Sequence, residues 1–170
     1  MMKNSVVLIC RTAVLSAVAL VLSVFENMIP DIPFMLPGMK LGLSNLSVMF
    51  ALEVCPLPCA LCIVVVKALF ALLTRGVTAF FMSLGGGLAA TVAMWLVLKS
   101  KKMKFGCFGV GVAGAFVHNC GQLAVAYIFV SGAVFAYFPF LALSALVMGA
   151  LTGLVYYVVM PRLLSLPLMA

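Results

Sequence analysis

His118, Asn119 and Gln122 stand in the middle of residues 106–130, an otherwise apolar run long enough to cross a bilayer. An imidazole and two amides can donate and accept hydrogen bonds, and the imidazole can also move a proton. At bilayer depth such groups are costly, so they line a site or tie helices together rather than face lipid. His118 and Gln122 are four residues apart and share a helical face, with Asn119 about 100° round from His118. No carboxylate shares the depth of His118 to orient it as a general base. Ligand binding is the preferred reading of the cluster, and an interhelical polar network without a ligand is its rival.

Other polar groups are placed to converge with it. Lys67 falls inside an apolar run, where an unpaired ammonium costs roughly 2.5–3.5 kcal/mol on insertion scales. It needs a partner, a wet cavity or a route to the interface. Asn45 begins another apolar run, Glu26 ends the first, and Lys40 closes a proline-rich stretch. The candidate substrate-binding set is therefore Glu26, Lys40, Asn45, Lys67, His118, Asn119 and Gln122, toward the outer half of a membrane. For Glu26 and Lys40 the rival reading is an ordinary interfacial charge. The cations favour a ligand with an acidic or phosphate portion.

Several chemistries are excluded. Only Glu26, Asp31 and Glu53 are acidic, and nothing resembles the aspartate cluster that holds Mg²⁺ against a diphosphate. No G-x-x-x-x-G-K-[ST] is present, so ATP is not bound through a P-loop of this chain. Gly85-Gly86-Gly87 lies in an apolar run without a following lysine, which fits helix packing or a bend. Cys55, Cys59 and Cys62 spell C-x3-C-x2-C, but the chain lacks the length for the usual cluster-binding barrel, so packed thiols are expected. No metal or cofactor is expected, and the chain is not expected to be catalytic by itself.

The elements that must position these groups are membrane helices. Of 170 residues, 67% are hydrophobic and 8% charged, with mean hydropathy +1.37. A soluble domain is about half apolar and about a quarter charged. At about 20 apolar residues per span, six spans use nearly the whole length, so residues 1–170 form a single integral membrane domain of all-α class. The spans are Val6–Phe25, Leu41–Val54, Cys59–Thr74, Val77–Leu98, 106–130 and Tyr137–Met160, the last ending at Pro161-Arg162. Glu26–Lys40, with Pro30, Pro33 and Pro37, is a connection that cannot be regular helix. Ala17-Val18-Ala19 imitates a signal cleavage site, yet hydrophobicity continues past it, so cleavage is not expected.

Formal net charge is +7, and Lys99, Lys101, Lys102 and Lys104 form one cluster. With six spans, this cluster shares a side with Lys3 and Arg162, which the positive-inside rule makes cytoplasmic, together with both termini. Arg75 and Lys40 break that bias. No base-reading partners accompany the lysines, so nucleic acid is excluded. Small residues four apart, Ala13 with Ala17, Gly111 with Ala115, and Ala145-Gly149-Gly153, favour close helix packing.

Three segments together resemble a known family: Pro37-Gly38-Met39-Lys40-Leu41-Gly42-Leu43-Ser44-Asn45, Ser83-Leu84-Gly85-Gly86, and Val117-His118-Asn119-Cys120-Gly121-Gln122-Leu123. The chain resembles the Gx transporter family, often labelled heptaprenyl diphosphate synthase component I, over about residues 12–163. Lys67 stands where that family usually has arginine, keeping the charge without the bidentate fork. The family is similar in plan to substrate-binding S components of energy-coupling-factor transporters. That likeness implies six helices, a proline-rich extracellular loop capping the substrate after helix one, and placement in a bacterial cytoplasmic membrane. It also implies an Ala13–Ala17 face for a transmembrane coupling subunit, with cytoplasmic ATPases as further partners. The expected function is capture of a small, anionic or isoprenoid-related ligand from the outer face by a lipid-embedded subunit. The alternative is a non-catalytic membrane component of heptaprenyl diphosphate synthase, anchoring a soluble prenyltransferase for isoprenoid quinone biosynthesis. A third reading, an intramembrane enzyme centred on His118, predicts turnover that collapses in His118→Ala.

Overall fold

A computed structural model describes residues 2–28, 42–100, 106–130 and 132–165. It contains six α-helices, α1 Met2–Met28, α2 Asn45–Val54, α3 Leu57–Arg75, α4 Val77–Lys99, α5 Cys107–Val130 and α6 Phe138–Leu164. A short 3-10 helix, Gly132–Tyr137, leads into α6. Lys40 and most of the proline-rich connection lie outside the described residues, as do Lys101, Lys102 and Lys104.

Local chemistry sets the breaks. Cys55 is extended (φ −137, ψ 155) because the residue before a proline is driven out of the helical region, and Pro56 follows it. Pro58 then sits in the first turn of α3, where its missing N–H costs nothing. Gly76 alone separates α3 from α4, at φ +89, a conformation glycine adopts freely. Pro161 does not end α6 as the sequence predicted. The helix continues to Leu164, so the proline removes a hydrogen bond near the C-terminus without stopping the chain. At the other extreme α1 runs through Glu26 to Met28, so Glu26 belongs to a helix and not to the loop assigned to it from sequence.

Among the described residues, five helices are long and apolar enough to cross a membrane, and α2 is not. Its 10 residues rise only about 15 Å, half of a bilayer core about 30 Å thick. This corrects the expectation of six full spans. The side-chain bonds between α1 and α2 show them antiparallel: Glu26 faces Leu43, Leu15 faces Ser47, and Arg11 donates to the Val54 carbonyl at 3.2 Å. That guanidinium caps the C-terminus of α2, where cations are favoured.

The long helices neighbour one another in the order α1, α3, α4, α5, α6, and α2 packs against all five. Its seven residues Asn45 to Ala51 are buried on every side, the pattern of a helix inside a core rather than on its surface. Leu15, Met49, Ile63, Val64, Met94 and Met160 form the core round it, with Phe50 stacked on Tyr156 at 5.2 Å between ring centroids. Ile9, Leu73, Ile128 and Leu143 project outward, as a lipid-facing surface requires. Glycines set the closest approaches. A Cβ on Gly111 would lie 2.3 Å from the Gly149 carbonyl oxygen, and one on Gly121 would lie 2.8 Å from the Gly86 Cα. The small-residue spacing thus does bring α5 against α6, while in the triple glycine Gly85 and Gly86 bring α4 against α5 and Gly87 brings it against Val64 of α3.

Candidate functional site

Five segments converge on one cavity of about 20 Å³, room for a water or a small polar group. Ser23 and Glu26 enter from the last turns of α1, and Gly42 and Ser44 from the turn before α2. Lys67, Ala71 and Arg75 enter from α3, where the four-residue spacing stacks them on one face. Ser83 comes from α4, and His118 and Gln122 from α5. Because α1, α3 and α5 run one way and α4 and α6 the other, the cavity lies between mid-membrane and the end that carries Met28 and Gly76.

Within it, the polar groups form pairs. Lys67, 5% exposed, donates from Nζ to Asn45 Oδ1 at 2.7 Å. Gln122 Nε2 lies 2.9 Å from His118 Nε2, the contact that their four-residue spacing provides. Glu26 accepts the Leu43 backbone N–H on Oε1 at 2.5 Å, pinning the entry of α2 to α1. Asn45 N and Leu46 N complete that entry by donating to the Gly42 and Leu43 carbonyls. Gly42 has φ +88, and a Cβ there would sit 3.1 Å from Asn45 Nδ2 and 3.6 Å from His118 Cδ2. The glycine therefore holds the turn and leaves space between α2 and α5. Gly86 does the same for α4, since a Cβ on it would lie 2.8 Å from the His118 carbonyl oxygen and 2.9 Å from Gln122 Cγ.

Two buried oxygens of cavity-lining residues, Glu26 Oε2 and Gln122 Oε1, have no hydrogen-bond partner among the described residues, and neither has Asn45 Nδ2 beside the cavity. Buried polar groups are nearly always satisfied, so these atoms, on α1 and α5 and beside them on α2, mark a space that receives something polar, a water at the least.

The sequence-derived set divides here. Glu26, Lys67, His118 and Gln122 line the cavity, and Asn45 is bonded to Lys67 beside it. Asn119 is turned away: its Nδ2 donates to the Leu141 carbonyl at 2.9 Å and to Ser144 Oγ at 3.2 Å, joining α5 to α6. Lys40 lies outside the described residues. Ala13 and Ala17 are exposed on the side of α1 away from its buried stripe of Leu15, Ala19, Ser23 and Glu26. Sequence reading did not place Arg75, Ser23 or Ser44 at the site. The signals were present for two of them: Arg75 falls eight residues after Lys67, and Ser23 three before Glu26. Among the described residues no three of His, Cys, Asp or Glu are grouped to hold a metal ion. Cys55 is buried, Cys59 half-buried and Cys62 exposed, so the three thiols do not share one environment.

The family model described as "Heptaprenyl diphosphate synthase component I" matches residues 15–159, which contain every cavity-lining residue. Neither the curated proteins nor the solved structures give a match to this chain.

Proposed function

The chain belongs to the heptaprenyl diphosphate synthase component I family, and from that premise we propose that it is a membrane-embedded substrate-binding subunit. It takes a small polar ligand into the cavity bounded by Glu26, Lys67, Arg75, His118 and Gln122. The observation that carries this reading is the pair of unpartnered buried oxygens, Glu26 Oε2 and Gln122 Oε1, brought to one space from α1 and α5. The subunit binds without performing a chemical step of its own. On the positive-inside rule, the ends bearing Lys99 and Arg162 face the cytoplasm, so the cavity lies toward the outer face. Transport then requires a transmembrane coupling subunit and ATPases, in the manner of an S component of a bacterial energy-coupling-factor transporter. The exposed Ala13–Ala17 side of α1 is available to such a neighbour.

Native mass spectrometry of the full chain released from nanodiscs tests this reading. The expected result is a bound small molecule on wild-type protein that is lost in Lys67→Met. Wild-type protein with no bound molecule, or equal occupancy in the variant, would refute it.

The family description favours a second reading, a non-catalytic membrane component that anchors a soluble prenyltransferase. It predicts that the chain co-purifies with a prenyl diphosphate synthase and that its deletion lowers prenyl product. Unchanged product after deletion would remove it.

A further inference from the structure

The cavity has room for about one water, so a larger ligand enters only if one of its walls moves. We propose that the outer half of α1 is that moving wall. It swings toward lipid, parts Glu26 from Leu43, and opens the cavity at the end that carries Met28. This rests on the binding reading above and concerns how that site is reached.

The walls differ in what holds them. α4, α5 and α6 meet backbone to backbone: a Cβ on Gly121 would lie 2.8 Å from the Gly86 Cα, and one on Gly153 would lie 2.6 Å from the Phe108 Cα. α3 joins them where a Cβ on Gly87 would lie 2.6 Å from Val64 Cγ1. α1 contains no glycine, and among the described residues it packs closely on α2 and α3 but not on α4, α5 or α6. Its Val21, Val24, Phe25 and Met28 are exposed, as toward lipid. Lipid tails are as apolar as these side chains, so close packing and polar bonds, rather than apolar contact alone, keep a helix in place. Bonds join α1 to α2 at three levels: Arg11 to the Val54 carbonyl, the Leu15 carbonyl to Ser47, and Glu26 to the Leu43 N–H. The last of these lies at the cavity.

Leu15 and Ala19, both fully buried, anchor the middle of α1. No proline or glycine interrupts the helix between Met2 and Met28, so it tilts as a rod. Glu26 stands about 16 Å along the rod from Leu15, and a tilt of about 15° carries it about 4 Å, beyond hydrogen-bond reach of Leu43. Arg11, on a long flexible stem, keeps the Val54 carbonyl through such a tilt. Lys67 holds Asn45, so the start of α2 stays with α3 as α1 leaves. The Glu26 carboxylate sets the balance between the two forms. When closed, Oε1 is bonded and Oε2 is buried without a partner among the described residues. Water reaching Oε2 on opening offsets the loss of the Leu43 bond.

Two buried reporters of matched exposure test the proposal. Ala71, 5% exposed, lines the cavity from α3. Thr152, 7% exposed, lines a second cavity of about 10 Å³, whose described lining comes from the turn before α2 and from α2, α4, α5 and α6. Ala71→Cys and Thr152→Cys are made in the full chain in nanodiscs and reacted with a small charged methanethiosulfonate, with labelling at each site read by mass spectrometry. The Ala71→Cys thiol should label about tenfold or more faster than the Thr152→Cys thiol. Adding Glu26→Ala, which removes the acceptor for Leu43, should speed the first by about a further tenfold and leave the second unchanged. Equal rates at the two reporters, no acceleration by Glu26→Ala, or equal acceleration at both would overturn the proposal. The comparison of the single variants stands even if the Glu26→Ala protein fails to fold. No ligand enters the experiment, so the two readings fail separately. A bound small molecule with equal reporter rates sinks the moving wall alone, and protein with no bound molecule sinks the binding reading alone.

Discussion

His118 and Asn119 are adjacent in the chain and differ in what surrounds them. Asn119 faces α6 across a crossing closed by Gly111, Gly149 and Gly153, and its amide nitrogen is used twice there. His118, about 100° round the helix, faces a cavity shared with α1, α3, α4 and the turn before α2. Both are buried polar residues at the same depth, so polarity alone does not separate glue from site. Room does. Where α5 lies close against α6, the Asn119 amide nitrogen finds a carbonyl and a hydroxyl across the seam, while its Oδ1 is left without a partner. Where the short α2 stops halfway, the longer helices around it leave a space that side chains line without filling.

This contrast can be broken from either side. The largest effect is expected at the seam: Gly111→Ala places a methyl 2.3 Å from the Gly149 oxygen. The backbones must separate, lowering stability by roughly 1–3 kcal/mol, measurable as a lower unfolding temperature in detergent. Lys67→Met comes next, with bound ligand reduced about tenfold or more but a smaller change in unfolding temperature than the glycine variant shows. An opposite ordering would mean that Lys67 is structural.

The comparison is sharpened by a matched pair. Asn119→Ala should lose about 0.5–2 kcal/mol of stability and keep full ligand occupancy, whereas Gln122→Ala should lose occupancy. If both variants lose occupancy equally, seam and site are one network. Gly42→Ala is expected to cost about 1 kcal/mol, because a side chain is strained at φ +88. The smallest effect concerns Cys55, at the junction of α2 and α3. Burial pushes its thiol pKa up, with the neighbouring Cys59 adding to the shift. Its thiolate therefore appears only at a pH above the usual thiol range near about 8.5, and maleimide labelling of Cys55 should be slow at pH 8 and speed up as the pH is raised further.

Much of the architecture was legible in the residues. Long apolar runs predicted α1, α3, α4, α5 and α6, because a bilayer imposes length and composition on anything that crosses it. The pairing of His118 with Gln122 followed from helical periodicity alone. The partition of Asn119 did not, since a rotation of about 100° says only that it faces elsewhere and not what it meets. Arg75 stood out for breaking the charge bias but was not assigned to the site, because it ends its helix at the turn. Its place on the face of Lys67 shows once α3 is known to be straight helix from Leu57 to Arg75.

Composition and periodicity determined a membrane protein, its long helices and the polar residues worth explaining, because those depend on nearest neighbours in sequence and on the solvent. The length of α2, its position inside the other five helices, and the pairing of Lys67 with Asn45 were decided only by tertiary packing. An apolar run of 10 to 14 residues satisfies its own backbone equally well as a tilted span or as a buried half-helix. Contacts with α1, α3, α4, α5 and α6 choose between them, and the cavity exists because of that choice.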